Sequence, residues 1–501
     1  MGMAEVTSAA QHTYERHKPE ETILYKIVQK NWLPFREQVE RDTGYPLPDF
    51  VIKEFEEFLR CGILAYGFLR VQCESCKFEH LVAFSCKRRG FCPSCGGRRM
   101  SETAAHLIDA VLPVKNIRQW VISFPIPIRL CLAVRPKIMS RALEITYSAI
   151  SAYYRKKAKL PKASAKTGAV TLIQRFGGSL NLNVHFHSLF IDGSYEIGPN
   201  HEPTDFWAAD PPSTPELEAT LAVIIKRLTR YLEKQNIIVK DENQDFQLEI
   251  PDEDTLSRLQ QSSVTYRFAT GPRKGKKALV LKSVQDGDHN SRSGLVAKSS
   301  GFSLHAGVAA KADERDKLEK ICRYIARPAI AEGRLSVNDA GDVIYKFKKP
   351  WDDGTTAIKV SPMELMEKLA ALVPRPKIHL TRFHGVLGPH YKHRKLVVPK
   401  KPTLAPSIAM AEGAAADKTP KEPKRISWAR LLKRVFNIDV SICPKCTKKM
   451  RIIAAIEDPN VIKKILDHLG LPSAPPRLHP ARGPPIQEQG DSFPFETFEN
   501  I

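Results

Sequence analysis

Leu180-Asn181-Leu182-Asn183-Val184-His185-Phe186-His187-Ser188-Leu189-Phe190-Ile191 opens with a strict apolar–polar alternation, the period of a β-strand with one face in a core. Successive strand side chains point to opposite faces. His185 and His187 therefore project from one face, while Leu182, Val184, Phe186 and Phe190 fill the other. Two imidazoles held rigidly at this spacing can share a metal ion. The triplet alone decides little, because two histidines packed in a core or at a surface fit the same pattern.

Outward from this run, Gly177 and Gly178 separate it from a second β-rich segment, Val170 to Phe176, so a hairpin with the histidines on its second strand is expected. Gln119 to Phe124 is another strand candidate, stopped by Pro125 and Pro127. Helical spacing marks Ile23 to Val39, Val51 to Leu64, Lys137 to Tyr154 and Pro211 to Glu233. Ala312 to Ala326 is acidic at its start, basic at its end and closed by Pro328. Strands and helices are thus expected together over residues 109–397, an α+β fold class, preceded by a helical, zinc-ribbon-like domain over 1–108. The composition then shifts to Pro, Ala and Lys, predicting a flexible linker over 398–425, a small basic Cys-pair module over 426–470 and a Pro-rich tail over 471–501.

A chain of 501 residues is too long for one core. Lys and Arg outnumber Asp and Glu by 77 to 55, a net charge of +22, which favours a polyanionic partner, nucleic acid foremost. No apolar run reaches membrane-spanning length, since Arg118, Arg129 and Arg135 interrupt the most hydrophobic stretch, and Met1 to Glu20 has no apolar signal core. A cytoplasmic, nucleoid-associated protein without a membrane partner is expected.

Ten cysteines in such a chain argue for metal or thiol roles rather than disulfides. Cys73-x-x-Cys76 and Cys92-x-x-Cys95 are separated by fifteen residues, the spacing of a zinc ribbon, so Cys73, Cys76, Cys92 and Cys95 are expected to hold one structural zinc. Pro93, Gly96 and Gly97 supply turn chemistry at the second knuckle. Cys61 and Cys86 are left over, with His80 nearby; a second ion, substitution for one of the four, or core packing all fit. Cys443 and Cys446 offer half a site, either a second zinc knuckle completed by a distant ligand or two reduced thiols in a basic module. Lys87, Arg88, Arg89, Arg98 and Arg99 flank the second N-terminal knuckle and form a candidate phosphate-contacting surface, with a solvated face as the alternative.

The runs Phe84 to Cys95 (FSCKRRGFCPSC), Arg118 to Pro125 (RQWVISFP), Gln174 to Gly177 (QRFG), His185 to His187 (HFH), Cys322 to Pro328 (CRYIARP) and His379 to Gly385 (HLTRFHG) resemble, in order and spacing, the insertion-sequence ninety-one family of transposases and their common-region relatives. The resemblance implies the HUH class of single-strand endonucleases, whose histidine strand lies in an antiparallel sheet with helices and faces a catalytic tyrosine on a helix, here over residues 109–397. It implies Tyr324 as nucleophile, leaving a 5′-phosphotyrosine and a free 3′-hydroxyl, with His185 and His187 holding catalytic Mg2+ or Mn2+. A phenol with a pKa of about 10 attacking an anionic phosphate requires such charge compensation. Many relatives carry two tyrosines four residues apart, but the position before Tyr324 on that helical face is Lys320, so this is a single-tyrosine version. Lys320 is expected to tune the phenol or meet phosphate, or to be solvated, and Arg323 and Arg327 join the candidate DNA contacts. Gln174 is the candidate third metal ligand because it ends the strand expected to pair with the histidine strand; a hydrogen-bonded strand amide is the alternative.

The implied partners are single-stranded DNA, element ends and target DNA, with room for a homodimer. Cationic loops near Arg88, Lys156 and Lys274 are expected to line the strand's path. A rolling-circle replication or mobilisation nuclease shares the chemistry, and a non-catalytic zinc DNA-binding protein is the alternative of another class.

Overall fold

The computed structural model describes residues 16–240, 246–248, 254–282, 295–351, 353–399 and 441–480. Most of the expected linker, the first part of the Cys-pair module and the end of the Pro-rich tail lie outside the described residues.

The histidine run forms the strand Leu182–Ile191, near the middle of a six-stranded antiparallel sheet. In order across the sheet the strands are Val296–Ser299, Phe302–Ala310, Ile117–Ser123, Leu182–Ile191, Gly168–Phe176 and Thr381–Gly385. The glycine pair makes the expected hairpin, closed by Gly177 N–H donating to Asn181 O at 2.9 Å.

Alternation then sorts the two faces. Leu182, Val184, Phe186 and Phe190 pack with the helices Ile126–Val134, Pro136–Lys157 and Thr214–Lys234. Leu189 and Ile191, on the histidine side, pack with Leu107 of helix Pro93–Ala110 and with Leu318, Cys322 and Ile325 of helix Arg315–Ile325. A buried ion pair fastens three adjacent strands: Arg118 reaches both carboxylate oxygens of Asp192, at 3.0 and 2.8 Å, and Ala306 O at 3.0 Å.

A second core joins the N-terminal helices Ile23–Thr43 and Asp49–Arg60 to helix Pro362–Leu372 and to a four-stranded sheet containing Val343–Lys346 and Thr355–Val360. Its packing crosses the boundary expected at residue 108. Helix Pro362–Leu372 starts on a capping box: Ser361 Oγ accepts from Glu364 N–H, and Glu364 Oε2 accepts from Ser361 N–H. Among the described residues no helix is long and apolar enough to cross a membrane.

The third element is a three-stranded sheet in which Phe68–Cys73 lies between Glu79–Ala83 and Met450–Ile456. The C-terminal Cys-pair segment therefore docks on the zinc-ribbon region, with helix Pro459–His468 contributing Ile462 and Leu466 to the contact beside Leu64 and Phe68.

Candidate active site and thiolate centres

Strand geometry places the rings of His185 and His187 side by side, with centroids 4.9 Å apart. His185 Nδ1–H donates to Asn183 O at 2.9 Å, which leaves Nε2 with its lone pair. The Gln119 carboxamide sits 2.7 Å from His187 Nδ1 and can turn its oxygen to accept the ring N–H. His187 Nε2 is buried and has no hydrogen-bond partner among the described residues. Burial pushes the His185 pKa down to about 4 and holds His187 well below the usual imidazole value, so both rings are neutral and competent as ligands.

Gln174 stands directly across from His185 in the sheet register, on the same face. Its Nε2 donates to Ile325 O at 2.7 Å, while its buried Oε1 has no partner among the described residues. With the Gln119 oxygen turned to His187 Nδ1, two imidazole nitrogens and an amide oxygen present lone pairs on one face, a donor set that fits Mg2+ or Mn2+.

The Gln174 bond also brings the tyrosine helix to this face, because Ile325 follows Tyr324. The helix runs Arg315–Ile325, starting later than the acidic stretch suggests because Glu314 Oε2 accepts from Lys311 N–H and closes a turn there. Tyr324 is 45 % exposed. The Arg327 guanidinium lies 4.2 Å from its ring centroid and Lys348 Nζ 5.2 Å. Partial burial raises the phenol pKa, but hydrogen bonding to Arg327 and the charges of Arg327, Lys348 and Lys349 outweigh it and hold the phenol below its ordinary value. Lys320 instead sits exposed in a surface hollow with Asp313 and Glu314, and Arg323 pairs with Glu319. The phenol's charged neighbours thus include Lys348 and Lys349, which sequence reasoning missed. Gln119, quoted only within a longer run, is the residue that orients His187.

The cysteines are not grouped as the ribbon spacing predicts. Cys73 and Cys76 do not share a site with Cys92 and Cys95. One quartet is Cys61, Cys86, Cys92 and Cys95, and the other is Cys73, Cys76, Cys443 and Cys446; within each, the sulfurs all lie within 4.8 Å of one another. The cause is packing. The first knuckle ends strand Phe68–Cys73 and is drawn towards Met450–Ile456. The second opens helix Pro93–Ala110 beside Cys61, which caps helix Asp49–Arg60. Gly96 and Gly97 are accordingly helical rather than part of a turn, with Pro93 at the first helical position.

In the buried quartet the Cys61–Cys95, Cys61–Cys92 and Cys86–Cys95 sulfurs are 3.7, 3.7 and 3.4 Å apart. A tetrahedral ion with Zn–S bonds of about 2.3 Å spaces its sulfurs by about 3.8 Å, so the fit to zinc is close. Hydrogen bonds from Cys61, Cys86 and Cys92 hold the Cys95 thiol far below its ordinary pKa, and Lys87 N–H donates to the same sulfur at 3.2 Å.

Between this knuckle and the tyrosine helix lies a cavity of about 510 Å³ whose lining includes Arg88, Arg89, Arg99, Gln174, Arg327 and His379. Arg99 also braces the carbonyls of Lys87 and Arg88, Arg89 donates to Ile378 O, and Arg98 pairs with Glu102. Lys156 and Lys274 lie outside this cavity.

Two known families match successive parts of the chain. Residues 27–124, which hold the buried thiolate quartet and Gln119, match the family described as "Transposase zinc-binding domain". Residues 168–395, which hold Gln174, His185, His187, Tyr324 and Arg327, match the family described as "Putative transposase". No curated protein and no solved structure matches the chain. With both segments matched in order, the chain belongs to the insertion-sequence ninety-one family of transposases, enzymes that act on DNA.

Proposed function

We propose that this transposase nicks and rejoins single-stranded DNA at element ends by transesterification on Tyr324, in an HUH-type site built on His185, His187 and Gln174, during rolling-circle-like transposition. The observation that carries the reading is the 2.7 Å bond from Gln174 to Ile325 O, which ties the end of the tyrosine helix to the residue opposite His185.

The phenol oxygen attacks phosphorus, the bond to the 3′-oxygen breaks, and the leaving oxygen takes a proton to become a free 3′-hydroxyl. The product is a 5′-phosphotyrosine that conserves the bond energy for strand transfer without ATP. Arg327 stabilises the phenolate and offers a second positive charge to the phosphate. Mg2+ or Mn2+ bound at His185, His187 and Gln174 would supply the positive charge that polarises a non-bridging oxygen. The Asn183 carbonyl holds His185 in the tautomer such binding needs, and Gln119 with its amide oxygen turned to His187 Nδ1 would do the same for His187. The arginine-lined cavity leads the strand's phosphates to this point, and zinc held by Cys61, Cys86, Cys92 and Cys95 would stiffen the wall that carries those arginines.

The test replaces His185 and His187 with alanine and follows an oligonucleotide carrying an element end, with Mg2+ or Mn2+ present. Binding should persist and nicking should vanish. Nicking at the wild-type rate would contradict the proposal.

A further inference from the structure

The second thiolate quartet joins parts of the chain that neither family match connects: Cys443 lies 367 residues beyond Cys76, and Cys443 and Cys446 fall outside both matched segments. Its two halves are built alike. In Cys73-Glu74-Ser75-Cys76-Lys77 the Cys73 N–H donates to Phe78 O at 2.8 Å, and Lys77 is left-handed with φ +59°. In Cys443-Pro444-Lys445-Cys446-Thr447 the Cys443 N–H donates to Lys448 O at 2.7 Å, and Thr447 is left-handed with φ +58°. Each loop thus makes the same turn, a short loop that aims two sulfurs at one point.

The halves face each other. Cys73 and Cys446 sulfurs are 3.4 Å apart and Cys76 and Cys443 sulfurs 3.6 Å, close to the spacing of about 3.8 Å around a tetrahedral zinc ion. Glu74 N–H donates to Lys449 O, and Cys73 stands opposite Met450 in the antiparallel pair, so backbone pairing sets the approach. Val71, Cys73, Cys443 and Met450 form a small apolar cluster behind the sulfurs. Together with the Leu64, Phe68, Ile462 and Leu466 contact and one strand pairing, that cluster is a small apolar area for holding a distant segment, and four thiols in mutual contact contribute little without an ion.

We propose that Cys73, Cys76, Cys443 and Cys446 bind one zinc ion, and that this ion clasps the C-terminal segment to the zinc-binding domain so that the two form a single module. The thiol protons pass to solvent as the four Zn–S bonds form. The clasp brings Lys445, Lys448 and Lys449 of the second knuckle beside the first and sets Arg451 opposite Gln72 in the strand pair. It does not depend on the chemistry assigned to Tyr324, so failure of either leaves the other standing.

Metal analysis of the full chain should find two zinc ions per molecule, and the Cys443→Ser/Cys446→Ser and Cys73→Ser/Cys76→Ser variants should each retain one. A protease recognition sequence introduced at Ala414 adds a mechanical readout. After cleavage, the C-terminal piece should co-elute with the rest of the wild-type chain and separate from it in the Cys443→Ser/Cys446→Ser variant. One zinc in the wild type, two in either double variant, or co-elution unchanged by the serines overturns the proposal. If the serine variants prove insoluble, the zinc count of the wild type decides alone.

Discussion

A single methyl group at Gly96 tests whether the buried thiolate knuckle positions Tyr324, the proposed nucleophile. A Cβ at Gly96 falls 2.6 Å from Pro328 Cβ. Carbon atoms in contact sit about 3.5–4.0 Å apart, so Gly96→Ala must push the two segments apart by about 1 Å. Pro328 is a rigid ring just beyond the end of the tyrosine helix, and Gly96 adjoins Cys95 in the quartet, so neither side yields by rotating a flexible side chain. Overpacking of this kind costs about 1–3 kcal/mol, and moving a reacting group by about 1 Å costs about 10²-fold in rate. The neighbouring Gly97 has nothing within 4 Å. Gly97→Ala should therefore cleave normally and gain about 0.5–1 kcal/mol of helix stability. The assay is single-turnover cleavage of a saturating labelled single strand, with zinc content and DNA affinity measured on the same samples. Gly96→Ala cleaving as fast as Gly97→Ala would refute the argument that the knuckle sets the tyrosine helix.

Asp192→Ala leaves Arg118 buried without its carboxylate, an expected loss of about 3–5 kcal/mol. It should appear as a lower denaturation midpoint and faster amide exchange in Ile117–Ser123 and Leu182–Ile191; a loss no larger than the ~1 kcal/mol of a surface pair would show that the bridge does not anchor the sheet. Arg327→Gln removes the guanidinium that lowers the Tyr324 pKa, so the phenol should ionise at higher pH. The rising limb of the pH–rate profile should then move to higher pH and the rate at neutral pH should fall, whereas an unmoved profile would assign that limb to another group. Single-strand affinity should fall with salt at a slope near −0.7 per phosphate neutralised; flat affinity would mean that the +22 charge is merely solvated.

Local periodicity made much of this architecture legible. Alternation in Leu180 to Ile191 placed both histidines on one face, and the glycine pair placed the hairpin that sets Gln174 across from His185. The charge gradient and Pro328 placed the tyrosine helix to within a turn. Ligand grouping was illegible for a physical reason: C-x-x-C spacing defines a knuckle, but which knuckles meet depends on strands and helices that pack far apart in sequence. Cys61 and Cys86, with no paired spacing, complete one quartet, and Cys443 and Cys446 complete the other. Gly96 and Gly97 suggested a turn because no local signal reveals that Pro328 presses on a helix there. Lys348 and Lys349 reach Tyr324 only through the tertiary fold.

The central claim is that Tyr324 forms a covalent bond to the 5′ end of the downstream fragment. A strand carrying the element end, labelled at either terminus in separate samples, is incubated with a divalent ion and run on a denaturing gel beside wild type and Tyr324→Phe. In the wild type only the 3′-labelled strand should enter a protein–DNA adduct, and Tyr324→Phe should bind DNA yet give none. An adduct that persists in Tyr324→Phe, or one that carries the 5′ label, would contradict the account.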